Sequence, residues 1–170
     1  MLPDLIVPNL RVVFVGTAVG NRSAIRHHYY SGVGNEFWLL LFNAGFTPIL
    51  LAAEQDGLLT DYGIGMTDLN KDVVQSNDLN LDLNKGISEF EAKISEFSPN
   101  YVAFNGKTAG AAYAKGQGFS KPMLGLQTWK VATSKVFILP SSSGANRRSS
   151  YEGRDTRLAW WAELGDLVQG

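Results

Sequence analysis

The chain has 170 residues, enough for one compact domain around one core. It is 45% hydrophobic and 18% charged, with a formal net charge of −1, a composition that excludes a disordered tail. It has no cysteine, which removes disulfides, zinc–thiolate sites and iron–sulfur clusters together, and its two histidines, His27 and His28, argue against a histidine-rich metal site.

No apolar run is long enough to cross a bilayer. The start, MLPDLIVPNL, lacks the basic region and apolar stretch of a secretory signal. A cytoplasmic protein is therefore expected. Charge is spread unevenly. Glu54 to Asn100 carries ten acids and three lysines, and the remainder six acids and twelve bases. That separation fits a protein with one basic face and an acidic back, or chance clustering on a solvated surface.

Arg11 to Val15 (RVVFV) is a β-branched run ending at Gly16 and reads as a buried strand. Asn35 to Ala44 (NEFWLLLFNA) is an almost wholly apolar helix stopped by Gly45. Leu79 to Lys85 (LNLDLNK) reads as loop. Ile87 to Phe97 places Ile87, Phe90, Ile94 and Phe97 on one helical face. Tyr101 to Phe104 reads as a second strand, and Lys107 to Lys115 as an alanine-rich helix ending at Gly116. Thr128 to Ala132 alternates as a more exposed strand, and Lys135 to Leu139 is a buried one. Thr156 to Val168 closes the chain as an amphipathic helix carrying Trp160 and Trp161.

Strands alternating with helices imply an α/β fold, a mostly parallel four-stranded sheet covered on both faces with right-handed crossovers. No repeat or linker divides the chain, so residues 1–170 are expected to form a single domain. In such sheets ligands bind where loops leave the carboxyl ends of strands. That points to residues 16–34 and 140–155.

In the first loop, Gly16 and Gly20 bracket a tight turn directly after a strand. Glycines there allow close approach of backbone to a ligand, or serve steric needs alone. The GKS or GKT ending of a phosphate-binding P-loop is missing. In the second loop, LPSSSGANRR, serine hydroxyls, amides and the pair Arg147–Arg148 suit phosphate contacts, or form a solvated polar loop.

Taken together and in this order, the segments resemble those of the mismatch-specific uracil/thymine-DNA glycosylases. GTAVG stands where that family has GINPG, and HHYYSGVGNEFW is similar to HHYPGPGNHFW. YGIGMTDL is similar to YGIGFTNM, VAFNGK to VFNGK, and LPSSSGANR to MPSSSAR. The likeness runs from about Leu10 to Leu164, and the absence of cysteine sets the chain apart from the cluster-containing branches of the same superfamily.

The resemblance implies a three-layer α/β/α sandwich and a monofunctional DNA glycosylase. Such an enzyme extrudes a uracil, or another deaminated or mismatched base, and hydrolyses its N-glycosidic bond to begin base excision repair. Gly16, Thr17, Ala18, Gly20, Ser23, Tyr30 and Asn35 would form the base pocket. Tyr30 would cover the face of the base, and Ser23 would touch the base or nearby backbone. Amides around Gly20 would stabilise charge on the leaving group. Asn35 would cap the first helix and shape the pocket. Ser141, Ser142 and Ser143 would pin phosphates, with Gly144 in the same loop. Ala145, Asn146 and Arg147 occupy the wedge that fills the vacated space, the arginine carrying most of the insertion. Lys107 is a second phosphate contact or a solvated lysine. No cofactor or metal is implied, because water is the nucleophile. The implied partner is DNA carrying uracil or another damaged base, and no membrane. One domain suffices, so a monomer is expected.

One departure matters most. Where GINPG has its catalytic asparagine this chain has Ala18, and Val19 replaces the proline. Three readings remain. Asp68 in GMTDL orients the attacking water and stabilises the oxocarbenium-like sugar, or else it merely caps a turn. His28 and Asn70 are weaker candidates for the same chemistry. In the second reading, base flipping and leaving-group stabilisation alone drive a slow cleavage of uracil. In the third, the protein binds uracil or abasic DNA without cutting. A more remote alternative is a nucleotide- or sugar-handling α/β enzyme, which would need neither Arg147–Arg148 nor salt-sensitive DNA affinity. The favoured expectation is an active glycosylase using Asp68.

Overall fold

In the computed structural model, which describes residues 2–17, 27–69 and 83–170, the run VVFVG forms strand β1 (Val12–Gly16) with every residue buried. Such a run is buried on both sides only at the centre of a covered sheet. β1 pairs in parallel with β2 (Ile64–Asp68) on one side and β3 (Tyr101–Asn105) on the other. Beyond β3 lies β5 (Ser134–Leu139), also parallel, and then β4 (Gly125–Val131), antiparallel. The strand order is β2-β1-β3-β5-β4.

The period-two alternation of β1 sorts its side chains into two cores. Val12 and Phe14 pack with Phe37 and Leu41 of helix α1 (Phe37–Asn43) and with Trp161 and Leu164 of helix α4 (Arg157–Gln169). Phe14 stacks on Trp161 at 5.6 Å and meets Phe37 edge-on at 5.4 Å. Val13 and Val15 face the other way, toward Phe90 and Ile94 of helix α2 (Leu83–Phe97) and Tyr113 of helix α3 (Lys107–Gly116). The result is an α/β/α sandwich. None of its helices, among the described residues, is long and apolar enough to cross a membrane.

The sheet has five strands rather than the expected four. The additional one, β2, reads IGMTD, and its glycine, threonine and aspartate hide the strand pattern. Tertiary packing selects it. Leu5 forms an antiparallel bridge to Met66, with both amide–carbonyl bonds at 2.9 Å, so this edge of the sheet is covered. Gly65 permits the approach, because a Cβ there would lie 2.6 Å from both the Leu5 carbonyl oxygen and Leu10 Cδ1. A 3₁₀ helix, Ala53–Tyr62, precedes β2 and was likewise not anticipated; it ends at Gly63 with φ 76°. α2 begins at Leu83, so the end of the segment read as loop is helical. β4 begins at Gly125, three residues before the expected strand. α4 starts as expected, with the Thr156 hydroxyl accepting the Ala159 amide at 3.3 Å.

Gly65→Ala tests the β2 edge. The added methyl meets backbone rather than a flexible chain end, so we expect a loss of about 1–3 kcal/mol in urea unfolding. An unchanged midpoint would show that the bridge to Leu5 gives way freely.

Candidate active site

The carboxyl ends of β1 and β2 meet in register, Gly16 opposite Asp68, and the Leu69 amide donates to the Gly16 carbonyl at 2.8 Å. A Cβ on Gly16 would lie 2.8 Å from Asp68 Oδ1 and 3.5 Å from the Tyr30 hydroxyl. Glycine at the end of β1 therefore leaves room for a carboxylate and a phenol to converge. Asp68 is 4% exposed, and Thr17 beside it is also buried. Tyr30 holds φ 51° and stacks on Phe37 at 4.3 Å. Burial, and then the charge of Asp68, push the Tyr30 hydroxyl well above the usual phenol range, with Asn105 acting weakly the other way. The phenol stays a neutral donor beside the carboxylate.

His28 belongs to a different set of contacts. Its Nδ1 lies 3.1 Å from Asp56 Oδ1, on the 3₁₀ helix, while Asp56 Oδ2 accepts the Tyr29 amide at 3.0 Å. The Tyr29 hydroxyl donates to the Pro3 carbonyl at 3.0 Å, and Ser31 Oγ to the His28 carbonyl at 3.0 Å. Asp56, which sequence reasoning passed over, thus pins the segment that presents Tyr30. Ala18, Gly20, Ser23 and Asn70 lie outside the described residues.

The two candidate loops are stitched together. Ser142 is fully buried, and its Oγ donates to Asn35 Oδ1 at 2.8 Å while accepting from Asn105 Nδ2 at 2.9 Å. The Ser142 amide donates to Asn105 Oδ1 at 3.0 Å, and its carbonyl accepts the Glu36 amide at 2.9 Å. Asn35 Oδ1 also accepts the Phe37 amide at 3.0 Å at the start of α1. This corrects the expectation that Ser142 pins a phosphate, since its hydroxyl has no access to solvent and is already bonded. Ser141, Ser143, Gly144 and Asn146 are partly exposed, and Ala145 and Arg147 are exposed.

Arg157, which the sequence reading placed only within a helix, organises this loop. It is 6% exposed, and its Nη1 donates to the carbonyls of Ser141 and Ser143, both at 2.8 Å. Its Nη2 pairs with Glu36. The Asn146 amide group adds a bond to the Ser141 carbonyl at 2.9 Å, and Trp161 Nε1 donates to the Pro140 carbonyl at 3.1 Å. The only advance signal was an arginine in a first helical turn, where a cation is unfavourable unless it has partners. Glu36 also faces Arg147, at 3.6 Å. Its hydrogen bond from Arg157 holds its carboxyl below the usual range despite the opposing pull of burial.

Beside the loop runs an open groove of about 720 Å³, lined by Thr17, Asn105, Lys107, Lys121, Ser141 and Arg148 among others. Three bases (Lys107, Lys121, Arg148) and one acid (Glu152) border it, a net of +2. Lys107 Nζ is 2.7 Å from Glu152 Oε2. Burial pushes the Glu152 carboxyl up, but Lys107 and the Leu124 amide outweigh it and hold the group ionised.

With this geometry in place, the comparisons are specific. The family model of the Uracil DNA glycosylase superfamily matches residues 3–165, and the chain belongs to that superfamily. The chain also resembles the solution NMR structure of a "putative Uracil DNA glycosylase" from Methanosarcina acetivorans, with a TM-score of 0.60 and 22% identity over 99% of this chain and 97% of that one. At that identity the likeness carries the fold, a sandwich of the same build.

The Arg157–Glu36 pair generates a pH prediction. A carboxyl whose folded pKa lies below its unfolded value adds stability that is fully present above the unfolded range and is lost as pH falls through the folded value. The stability gap between wild type and Glu36→Gln should be widest near neutral pH and narrow on acidification. A gap that stays constant or widens toward acid would contradict the assignment. Arg157→Met, which strands Glu36 and several carbonyls, should cost about 3 kcal/mol at neutral pH.

Proposed function

We propose that the chain is a monofunctional DNA glycosylase of the mismatch-specific branch, hydrolysing the N-glycosidic bond of uracil flipped out of DNA. The observation that carries this reading is the buried Asp68 carboxylate meeting Gly16 and Tyr30, on the sheet edge that also carries the groove of net charge +2. The groove accepts the phosphate backbone. The flipped base enters beside Gly16 and Thr17, with Tyr30 contacting it.

In this mechanism the C1′–N1 bond breaks and its electron pair leaves with the base. Water adds to C1′ and gives up its proton. Asp68 stands where a negative charge stabilises the developing cationic sugar, and it accepts that proton as the water adds. Desolvation by burial strengthens the electrostatic part of this effect. The neutral Tyr30 hydroxyl keeps the neighbouring region polar without competing as an anion. The single domain acts as a monomer, and no cofactor enters the reaction.

Ala18 favours one second reading, a protein that binds uracil or abasic DNA without cutting it. End-labelled oligonucleotides with one uracil, treated with alkali after incubation, separate the two. We expect wild type to cut. Asp68→Asn should be at least about a hundredfold slower, equivalent to about 2.7 kcal/mol of barrier, while still binding. Equal rates would remove Asp68 from the chemistry and bring forward unaided dissociation. Binding by wild type without any cut would establish the second reading.

A further inference from the structure

Val33 is 83% exposed, more than any other large apolar side chain among the described residues. Single exposed apolar residues are common on protein surfaces and need no explanation by themselves. The surroundings of this one are specific. It stands between Gly32 and Gly34, and Gly34 touches the serine loop. A Cβ on Gly144 would fall 2.7 Å from the Gly34 carbonyl oxygen, so the two loop tips meet backbone to backbone. Below that contact, the Ser142 bonds to Asn35 and Glu36 hold both loops in fixed relation. On the serine loop's side of the junction are exposed Ala145 and the exposed cations Arg147 and Arg148.

The serine loop is also a ridge between two depressions. One is the groove of about 720 Å³ bearing Lys107 and Lys121. The other, of about 560 Å³, lies against α1 and is lined by Leu39, Asn43, Arg147 and Thr156 among others. Arg148 and Tyr151 border both. Cations therefore flank an apolar tip, with a channel on each side. That combination suits a polyanion with a stacked apolar interior. Phosphates meet the arginines, and the apolar tip enters the stack, as apolar side chains do when they part base steps.

We propose that Val33 and Ala145 form a two-pronged apolar wedge, and that the substrate is double-stranded DNA with one strand in each channel. This rests on the glycosylase reading above. The prongs fill the space a flipped nucleotide leaves, which lowers the cost of keeping it out of the stack. A single strand leaves no such space, so the contribution of Val33 is confined to duplex.

The test compares wild type, Val33→Ser and Val33→Leu on uracil oligonucleotides, as single strand and as U·G duplex, with 2-aminopurine beside the uracil. Cleavage and the fluorescence rise on binding are both read. Val33→Ser should lose about tenfold in duplex cleavage and most of the duplex fluorescence rise, and should stay within about twofold of wild type on single strand. Val33→Leu should retain duplex activity. An unchanged duplex-to-single-strand ratio in Val33→Ser would remove Val33 from the wedge while leaving the glycosylase reading intact. A wild type that cuts single strand better than duplex would overturn the duplex assignment. A wild type that neither binds nor cuts either form would overturn the glycosylase reading and this one together.

Discussion

The site depends on a hydroxyl that never meets water. Ser142 lies at 0% exposure and links Asn35, at the mouth of α1, to Asn105, at the end of β3, while its own backbone continues from β5. Three chain segments far apart in sequence are thereby held at one point. A buried hydroxyl bonded on both its donor and acceptor sides is worth more than its pairwise bonds, because any one broken leaves the others unsatisfied in a low dielectric. Arg157 does for the loop carbonyls what Ser142 does for the loop base. Its planar guanidinium reaches the Ser141 and Ser143 carbonyls and Glu36 together, which a lysine could not do with the same geometry. The exposed residues of the serine loop are therefore presented from a rigid frame. Rigidity there matters because an inserted wedge must keep its shape against the stacked bases it parts.

A second constraint sits at the ends of β1 and β2. Burying Asp68 at 4% exposure is costly, and the fold tolerates it beside a residue with no side chain. Gly16 is thus required by the carboxylate as much as by any turn. Tyr30 is anchored on Phe37, which itself packs against Phe14 and Trp161 in the core. The position of the phenol is consequently set by the same aromatic cluster that holds α1 and α4 on the sheet. Core and site share side chains, so a core change at Phe37 would be felt at Tyr30.

Much of the architecture was legible because burial on both faces leaves a plain mark in sequence. VVFV and KVFIL can hardly be anything but inner strands, and ISEFEAKISEF carries its helical face openly. β2 was not legible. Its burial comes from a bridge to Leu5, some sixty residues earlier, which no local window contains. At the site, the motif positions of Asp68, Gly16 and Tyr30 were readable, and the structure brings them together. The roles of Asp56, Arg157 and Ser142 were not. A serine in a run of three has no local sign that it alone is buried. Nor does an arginine near a chain end reveal that several backbone carbonyls converge on it. His28 was grouped with the pocket on sequence proximity to Tyr30, but its Nδ1 engages Asp56.

The net charge of −1 looks unsuited to a nucleic-acid partner until it is resolved in space. At physiological ionic strength charges are screened over about 8 Å, so a phosphate responds to its immediate neighbours rather than to the whole protein. In the groove those neighbours sum to +2. All four of its charged residues come from outside the acid-rich stretch Glu54–Asn100. The Lys107–Glu152 pair refines this picture. Glu152 is held in place by the Leu124 amide at 2.9 Å as well as by the lysine, so it fixes where Lys107 points while cancelling part of its field. Lys121 and Arg148 then carry most of the uncompensated charge along the groove. Affinity for a polyanion concentrates on those two and on the arginines of the loop, close to where the sheet presents its buried carboxylate.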